Sequence, residues 1–145
     1  LHVPYKGGAP ALQDLLGGQI PVSINPIGEV LPQLKGGRVR VLATTGAQRS
    51  RFLPEAPTLL EAGLRDMAIE SWLGVFMPGR TPPATVARAS AWINAALQTA
   101  ELREGYAGIA METVQSTPAG FAATIKADID RWGPIVKASG FTAEE

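Results

Sequence analysis

The sequence predicts an α/β fold, because segments typical of β-strands alternate with segments typical of helices along the first half of the chain. The β-branched run 38–45 (RVRVLATT) and the apolar run 68–77 (AIESWLGVFM) are the clearest strands. Leucines recur at helical spacing just before the pair Gly17–Gly18, where a helix is expected to end. Helices that alternate with strands indicate a mostly parallel sheet covered by helices.

The elements of the first half follow from these patterns in order. A strand that ends near Lys6 leads through Gly7 and Gly8 into a helix that begins near Pro10, since proline suits the first helical position. The later segments are expected to be a strand over 22–25, a helix over 26–34, a strand over 38–45, a loop over 46–57, a short helix over 58–62 and a strand over 68–77.

The second half is predicted to be mostly helical. Thr81 is expected to cap a helix that begins at Pro82 or Pro83, and Thr117 to cap a last helix that ends before Gly140. A short helix over 101–107 and a brief strand over 112–115 are expected between them. The composition changes near residues 64–68, from glycine-rich segments to long helices, which suggests a boundary between two lobes.

Composition excludes several classes of function. The 145 residues include 13 basic and 13 acidic side chains, so no basic surface for nucleic acid is expected. The chain has no cysteine, which removes disulfides and thiol chemistry, and it has no apolar run of the ~18 residues typical of a membrane span.

An enzyme is not favoured either. His2 is the single histidine, and the sequence has no GxSxG elbow, no phosphate-binding loop, no dinucleotide fingerprint and no metal-ligand spacing. We therefore expect no catalytic residue, no metal and no cofactor. A module for protein interaction stays open as a third class.

The segment from Tyr5 to Ala9 is the strongest candidate for a binding site. Unpaired N–H groups at a helix start, together with the positive end of the helix dipole, favour an anion. Lys6 adds a positive charge, and Gly7 and Gly8 would let a ligand approach the backbone. Tyr5 could cover the ligand with its hydroxyl or simply pack at a strand end. The whole segment could equally be an ordinary strand–helix connection.

Three further residues are candidates for ligand contact. Asn25 lies where a strand ends, a position from which side chains often reach a ligand, although an Asx turn explains it equally well. Thr45 ends the strand over 38–45. Trp72 could line a cleft, with a place in the core as the default expectation.

A series of motifs resembles one known family. In order they are YKG, LLGGQ, LPxLKGG, LATT, RSxxLPEAPTLxEAGL and SWxGxxxPxxTP, and together they extend over nearly the whole chain. They are similar to the Bug family, the solute-binding receptors of tripartite tricarboxylate transporters. The resemblance implies a periplasmic protein of the type II binding-protein architecture, with two α/β lobes that close on a small carboxylate and pass it to membrane transporter subunits. At the position of Asn25 the family pattern is often acidic, so asparagine here would suit an anionic ligand.

The resemblance corresponds to the C-terminal half of such a receptor. It implies that residues 1–66 are the back part of the second lobe and residues 67–145 the returning part of the first. Sheet edges without their partner strands would be exposed, so a strand-swapped or completing dimer of this fragment is expected. The alternative reading is a flavodoxin-like α/β domain that binds a phosphorylated small molecule at the same helix start.

Overall fold

Helices form the regular structure of the chain. The computed structural model describes residues 2–140. Its helices are α1 (Gly8–Leu16), α2 (Ile27–Leu34), α3 (Pro83–Ala96), α4 (Ala100–Gly108) and α5 (Pro118–Ser139), with a 3₁₀ turn at Arg65–Met67. Within this described range, no helix has both the length and the apolar character needed to cross a membrane.

The predicted helix ends are confirmed where glycine or a threonine cap determines them. The amide of Gly17 closes α1 by donating to Gln13 O at 2.8 Å, and Gly18 follows with a φ of +72°. Thr117 Oγ1 accepts from the amide of Gly120 at 3.0 Å at the start of α5, and Gly140 ends that helix at a φ of +69°. Glycine adopts these positive φ values without the steric cost that a Cβ brings.

The start of α3 corrects one prediction. Pro82, and not Thr81, is the N-cap residue, and its ψ of 137° is extended. A residue that precedes proline is forced out of the helical region, so the helix cannot begin before Pro83. Thr81 is therefore one residue too early to cap it, and its amide closes a turn on Pro78 O instead.

The predicted parallel sheet is not confirmed. Residues 2–140 contain no β-strand, so the segments 22–25, 38–45, 68–77 and 112–115 do not form strands within them. One isolated parallel bridge joins Thr44 to Thr58. A strand requires a neighbouring backbone that pairs with it along its length. Apolar side chains of these segments are correspondingly exposed, Ile24 to 90% and Leu73 to 78%.

The segment 58–62, predicted as a short helix, forms consecutive turns. Its first residues nevertheless make a capping box, because the amide of Thr58 donates to Glu61 Oε2 at 2.7 Å and the amide of Glu61 donates to Thr58 Oγ1 at 3.1 Å. Arg49 Nε also donates to Glu61, at 2.9 Å. The hydrogen bond from Arg49 is the main cause that lowers the pKa of Glu61, and the hydrogen bond from the Thr58 amide is the second. The contact between Arg49 and Glu61 also raises the pKa of Arg49. Gly63, at a φ of +90°, ends the turns.

The chain divides into two compact units, and both are discontinuous in sequence. Unit 1 comprises Leu1–Val75 and Glu104–Glu112, and unit 2 comprises Phe76–Arg103 and Thr113–Glu145. The lobe boundary near residue 66 stays a prediction.

Within unit 1, helices α1 and α2 contact each other. The residues buried there are Ala11, Leu12, Thr44, Ala56 and Thr58. The returning segment joins the rest of the unit through an ion pair between Arg51 and Glu112, with 2.7 Å between Nε and Oε1.

Within unit 2, helices α3 and α5 contact each other. The rings of Phe76 and Phe121 lie 5.4 Å apart between their centroids. Asn94 fixes the approach to α5, because its side chain donates to Ser116 O at 2.9 Å and accepts from the amide of Ser116 at 3.2 Å.

Candidate functional site

The candidate site begins at the start of α1. Gly7 is its N-cap residue, with a φ of +109° that a side chain would strain, and among the described residues no side chain caps the first turn. Lys6, Gly7 and Ala9 are exposed. Helix α1 begins at Gly8, two residues before the predicted start, so the glycines belong to the cap and first turn themselves. The amides of Gly8 and Ala9 are available to an acceptor from outside the helix, whereas Pro10, the third residue of the turn, has no N–H to offer.

Tyr5 is tied to the body of α1. Its hydroxyl donates to Asp14 Oδ2 at 2.7 Å, and this hydrogen bond raises the pKa of Tyr5. The bond ties the segment before the helix to the second turn of α1. Tyr5 therefore positions the loop, and its direct contact with a ligand stays a prediction.

Asn25 is brought to the same place from the segment before α2. Its side-chain amide donates to Gly8 O at 3.0 Å and to Glu29 Oε2 at 3.2 Å. The hydroxyl of Ser23 donates to Asn25 Oδ1, which fixes the orientation of the amide group. Two of the predicted residues, Gly8 and Asn25, are therefore in direct contact although 17 positions separate them in sequence.

Glu29 lies against Gly8 and was not identified from the sequence. A Cβ built on Gly8 would lie 1.8 Å from Glu29 Oε2 and 2.8 Å from Asn25 Nδ2, so only glycine leaves room for both side chains in this arrangement. One signal was present: side chains in the first turn of a helix lean toward its N-terminus, and Glu29 follows Asn25 by four residues in that turn. The acidic side chain thus points back to the start of α1.

A cavity of about 330 Å³ adjoins Glu29 in the same unit. It is lined by Pro26, Ile27, Gly28, Glu29, Ile109, Ala110 and Met111. The backbone of Gly28 approaches Ile109 so closely that a Cβ on it would lie 2.3 Å from the carbonyl oxygen of Ile109. Ala110 has a φ of +55°, which is rare for a residue with a side chain. One signal of this contact was visible beforehand, since Gly28 interrupts an otherwise helical pattern.

Thr45 and Trp72 lie in other parts of unit 1. The carbonyl of Thr45 accepts from the amide of Ile69 at 2.7 Å, so it anchors the chain that follows the 3₁₀ turn. Trp72 is 38% exposed and does not belong to a buried core, contrary to the default expectation. A ligand contact for either residue stays a prediction. Throughout residues 2–140, no group of three or more acidic or histidine side chains is arranged to hold a metal ion.

Sequence comparison connects the chain with known receptors. The family model described as "Tripartite tricarboxylate transporter family receptor" matches residues 1–141. The chain is 34% identical over 137 residues to the UPF0065 protein in the tcbD-tcbE intergenic region of Pseudomonas sp. (strain P51). It is 33% identical over 138 residues to protein BugT of Bordetella pertussis. These matches cover 94% and 95% of this chain but 41% and 42% of the two relatives, so the chain spans less than half of their length.

Solved structures of binding proteins also match this chain over about half of their own length. The chain superposes with a TM-score of 0.82 and 33% identity on R. palustris Rpa4515 with adipate, covering 95% of this chain and 46% of that one. It matches MatC (Rpa3494) from Rhodopseudomonas palustris with bound malate at a TM-score of 0.79 and 31% identity, over 92% of this chain and 47% of that one. The periplasmic binding protein BugD follows at 0.76 and 29%, over 97% and 48% of the two chains. The chain thus has the fold of about half of a periplasmic binding protein.

Proposed function

Since the chain belongs to the family of tripartite tricarboxylate transporter receptors, we propose that the whole protein binds a small carboxylate in the periplasm and delivers it to a membrane transporter. It performs no chemistry on the ligand. Two similar proteins were solved with adipate and with malate, which supports a carboxylate as the ligand class here.

The uncapped, glycine-rich start of α1 is the observation that carries this proposal. The first amides of the helix donate to no capping side chain among the described residues, and Lys6 precedes the N-cap residue Gly7. A ligand carboxylate would accept hydrogen bonds from these N–H groups, and the positive end of the helix dipole would stabilise its negative charge. Tyr5 and Asn25 hold the loop from two sides, so the donors are arranged before the ligand arrives.

The backbone amides contribute more than the lysine. A hydrogen bond from an amide to a charged group contributes about 1.5–3 kcal/mol, and the dipole adds roughly 0.3–1 kcal/mol at an exposed position. The charge of exposed Lys6 is screened by water and salt, and the side chain loses freedom when it is fixed. Recognition therefore depends on the acceptor character of the ligand more than on its net charge.

A phosphate group is the second ligand chemistry that a helix start could accept. A phosphorylated ligand needs more donors than a carboxylate because it has three acceptor oxygens and about two charges. Lys6 is the one cationic side chain in the stretch from residue 2 to the end of α1, which favours the singly charged carboxylate.

Calorimetric titration of the whole protein tests the function. The probes are adipate and malate, their diamides, and inorganic phosphate. We expect a dicarboxylate to bind and its diamide to bind at least a hundredfold more weakly, because the NH₂ groups of an amide would face N–H donors. Equal affinity for acid and amide would refute anion recognition, and binding of phosphate in preference to every carboxylate would favour the second chemistry.

A further inference from the structure

We propose that Lys35, Arg38 and Arg40 form a docking surface for an acidic face of the transporter's membrane subunits. These three residues make up the basic patch. The inference rests on the proposed function, because it concerns the partner to which the receptor delivers its ligand. The patch lies at and after the end of α2, whereas the candidate anion site lies at the start of α1.

The stretch that contains the basic patch has an unbalanced charge. Residues 30–54 include five basic side chains and no acidic one, although the whole chain has 13 of each. Two of the five, Arg49 and Arg51, pair with carboxylates from other segments at 2.9 Å and 2.7 Å. Within residues 2–140, the three cations of the basic patch form no ion pair. The excess positive charge of the stretch is therefore concentrated in the patch.

Backbone hydrogen bonds bring Arg38 to the end of α2. Its amide donates to Gln33 O at 3.3 Å, and the amide of the preceding glycine donates to Leu34 O at 3.0 Å. This pair of bonds is typical of a Schellman motif, which folds the chain back on the last turn of a helix. A Cβ built on Gly36 would lie 3.6 Å from Arg38 Cγ, so the arginine side chain lies against the residue that follows Lys35.

The segment after this turn presents Arg38 and Arg40 on one side. Exposure alternates along it, because Arg38, Arg40 and Leu42 are exposed whereas residues 39, 41 and 43 are half-buried. A period of two is that of an extended backbone, which places the Cα atoms of the two arginines about 6.6 Å apart. Leu42, 59% exposed, continues the same row.

The helix dipole explains only part of the basic patch. Cations near the C-terminus of a helix are favourable, which accounts for Lys35 and Arg38 at the end of α2. The effect of the dipole falls off within the last turn, so it does not account for Arg40. Arg40 is the residue that points to an acceptor outside the described chain.

An acidic protein surface fits the patch better than a lipid or a nucleic acid. Arginine is enriched at protein interfaces and can hold a carboxylate with two parallel hydrogen bonds, and Leu42 adds an apolar contact beside it. Anionic lipid surfaces are typically bound by clusters of roughly four to eight basic residues, and DNA by about six to ten phosphate contacts. Three cations next to an exposed leucine are too few for either.

Vesicle binding tests the proposal with the whole protein. The transporter's membrane subunits from the same organism are reconstituted in phosphatidylcholine vesicles, and binding is measured by sedimentation with the carboxylate that binds best in calorimetry. In the triple variant Lys35→Gln, Arg38→Gln and Arg40→Gln we expect binding to weaken at least about tenfold. Raising the salt concentration from about 50 to about 300 mM should remove most of this difference, since salt screens exposed charges.

A second triple variant is the matched control. It removes the same charge from three exposed arginines that lie apart in sequence and form no ion pair within residues 2–140: Arg65→Gln, Arg80→Gln and Arg103→Gln. It should change binding to the subunit vesicles by less than about threefold.

The outcomes separate the patch from the receptor function. Unchanged binding by the patch variant, or equal weakening by both triple variants, would refute the docking surface. Equal binding to vesicles of phosphatidylcholine and phosphatidylglycerol without the subunits would show that the patch recognises lipid, and would overturn the proposal. A lower urea midpoint for the patch variant than for the control would also overturn it, because the rest of the whole protein would then cover these cations. Calorimetry reports the proposed function independently: it fails if the unsubstituted protein binds no carboxylate, and the patch variant should bind its carboxylate with unchanged affinity.

Discussion

The contact between α2 and the segment after α4 leaves no space for a methyl group at position 28. A Cβ on Gly28 would lie 2.3 Å from the carbonyl oxygen of Ile109 and 2.9 Å from its carbonyl carbon. Both are backbone atoms, so they cannot rotate away as the end of a flexible side chain can. In Gly28→Ala the two segments must therefore separate by about 1 Å to restore ordinary contact distances of roughly 3.5 Å.

The expected cost follows from two opposing terms. Overpacking of this kind costs about 1–3 kcal/mol, and alanine in a helix recovers about 0.5–1 kcal/mol relative to glycine. We therefore expect Gly28→Ala to lower the free energy of unfolding by roughly 1–2 kcal/mol. Gly105→Ala is the matched control, since Gly105 lies inside α4 and a Cβ there would meet nothing within 4 Å. It should raise the free energy of unfolding by about 0.5–1 kcal/mol.

Urea denaturation followed by far-ultraviolet circular dichroism measures both variants in the whole protein. The two substitutions are chemically identical, so helix propensity cancels in their comparison and the close contact remains. The reasoning is refuted if Gly28→Ala is as stable as the unsubstituted protein while Gly105→Ala shows the expected gain. Opposite signs for the two variants would support the described approach of α2 to Ile109.

Three further outcomes are expected. Glu61→Gln should lower stability at pH 7, because the Arg49 contact lowers the folded pKa of Glu61. The difference should begin to shrink as the pH falls below the ordinary glutamate pKa of about 4.3 and disappear once the pH is below the folded pKa; urea midpoints against pH measure this. Thr117→Ala should cost about 1 kcal/mol through loss of the bond from Gly120, and an equal urea midpoint would contradict it. Lys6→Ala should weaken carboxylate binding by only about tenfold in calorimetry, whereas complete loss would mean that the lysine outweighs the amides.

Local signals were read correctly from the sequence. The cap at Thr117, the left-handed Gly140 and the glycine stop after α1 depend on one or two neighbouring residues, so their chemistry is visible in the chain itself. Helix α3 begins at Pro83, one of the two predicted starts, but its predicted cap was wrong for a local reason too, because Pro83 restricts Pro82 and moves the cap by one residue.

Features that depend on distant backbone were not predictable in the same way. β-branched runs indicate where strands could form, but a strand exists only when another backbone pairs with it, and residues 2–140 supply one bridge between Thr44 and Thr58. At the candidate site, Gly8 and Asn25 were each identified, yet their contact and the approach of Glu29 follow from the packing of α1 on α2. Sequence patterns could name these residues without showing that a carboxylate of the chain itself lies beside Gly8.

The discontinuity of unit 1 has a consequence for the order in which the chain folds. Residues 76–103 belong to unit 2, so they separate the last segment of unit 1, Glu104–Glu112, from the rest of that unit in sequence. During synthesis Gly28 and Arg51 emerge well before Ile109 and Glu112, the partners that they contact. Bringing the two parts of unit 1 together closes a loop that contains residues 76–103. The entropy lost in closing it grows with the logarithm of its length, and this loss opposes folding until the contacts form. The docking of this segment is therefore a late step in folding, and a chain cut anywhere between residues 76 and 103 would leave α2 to find its partner as a separate molecule.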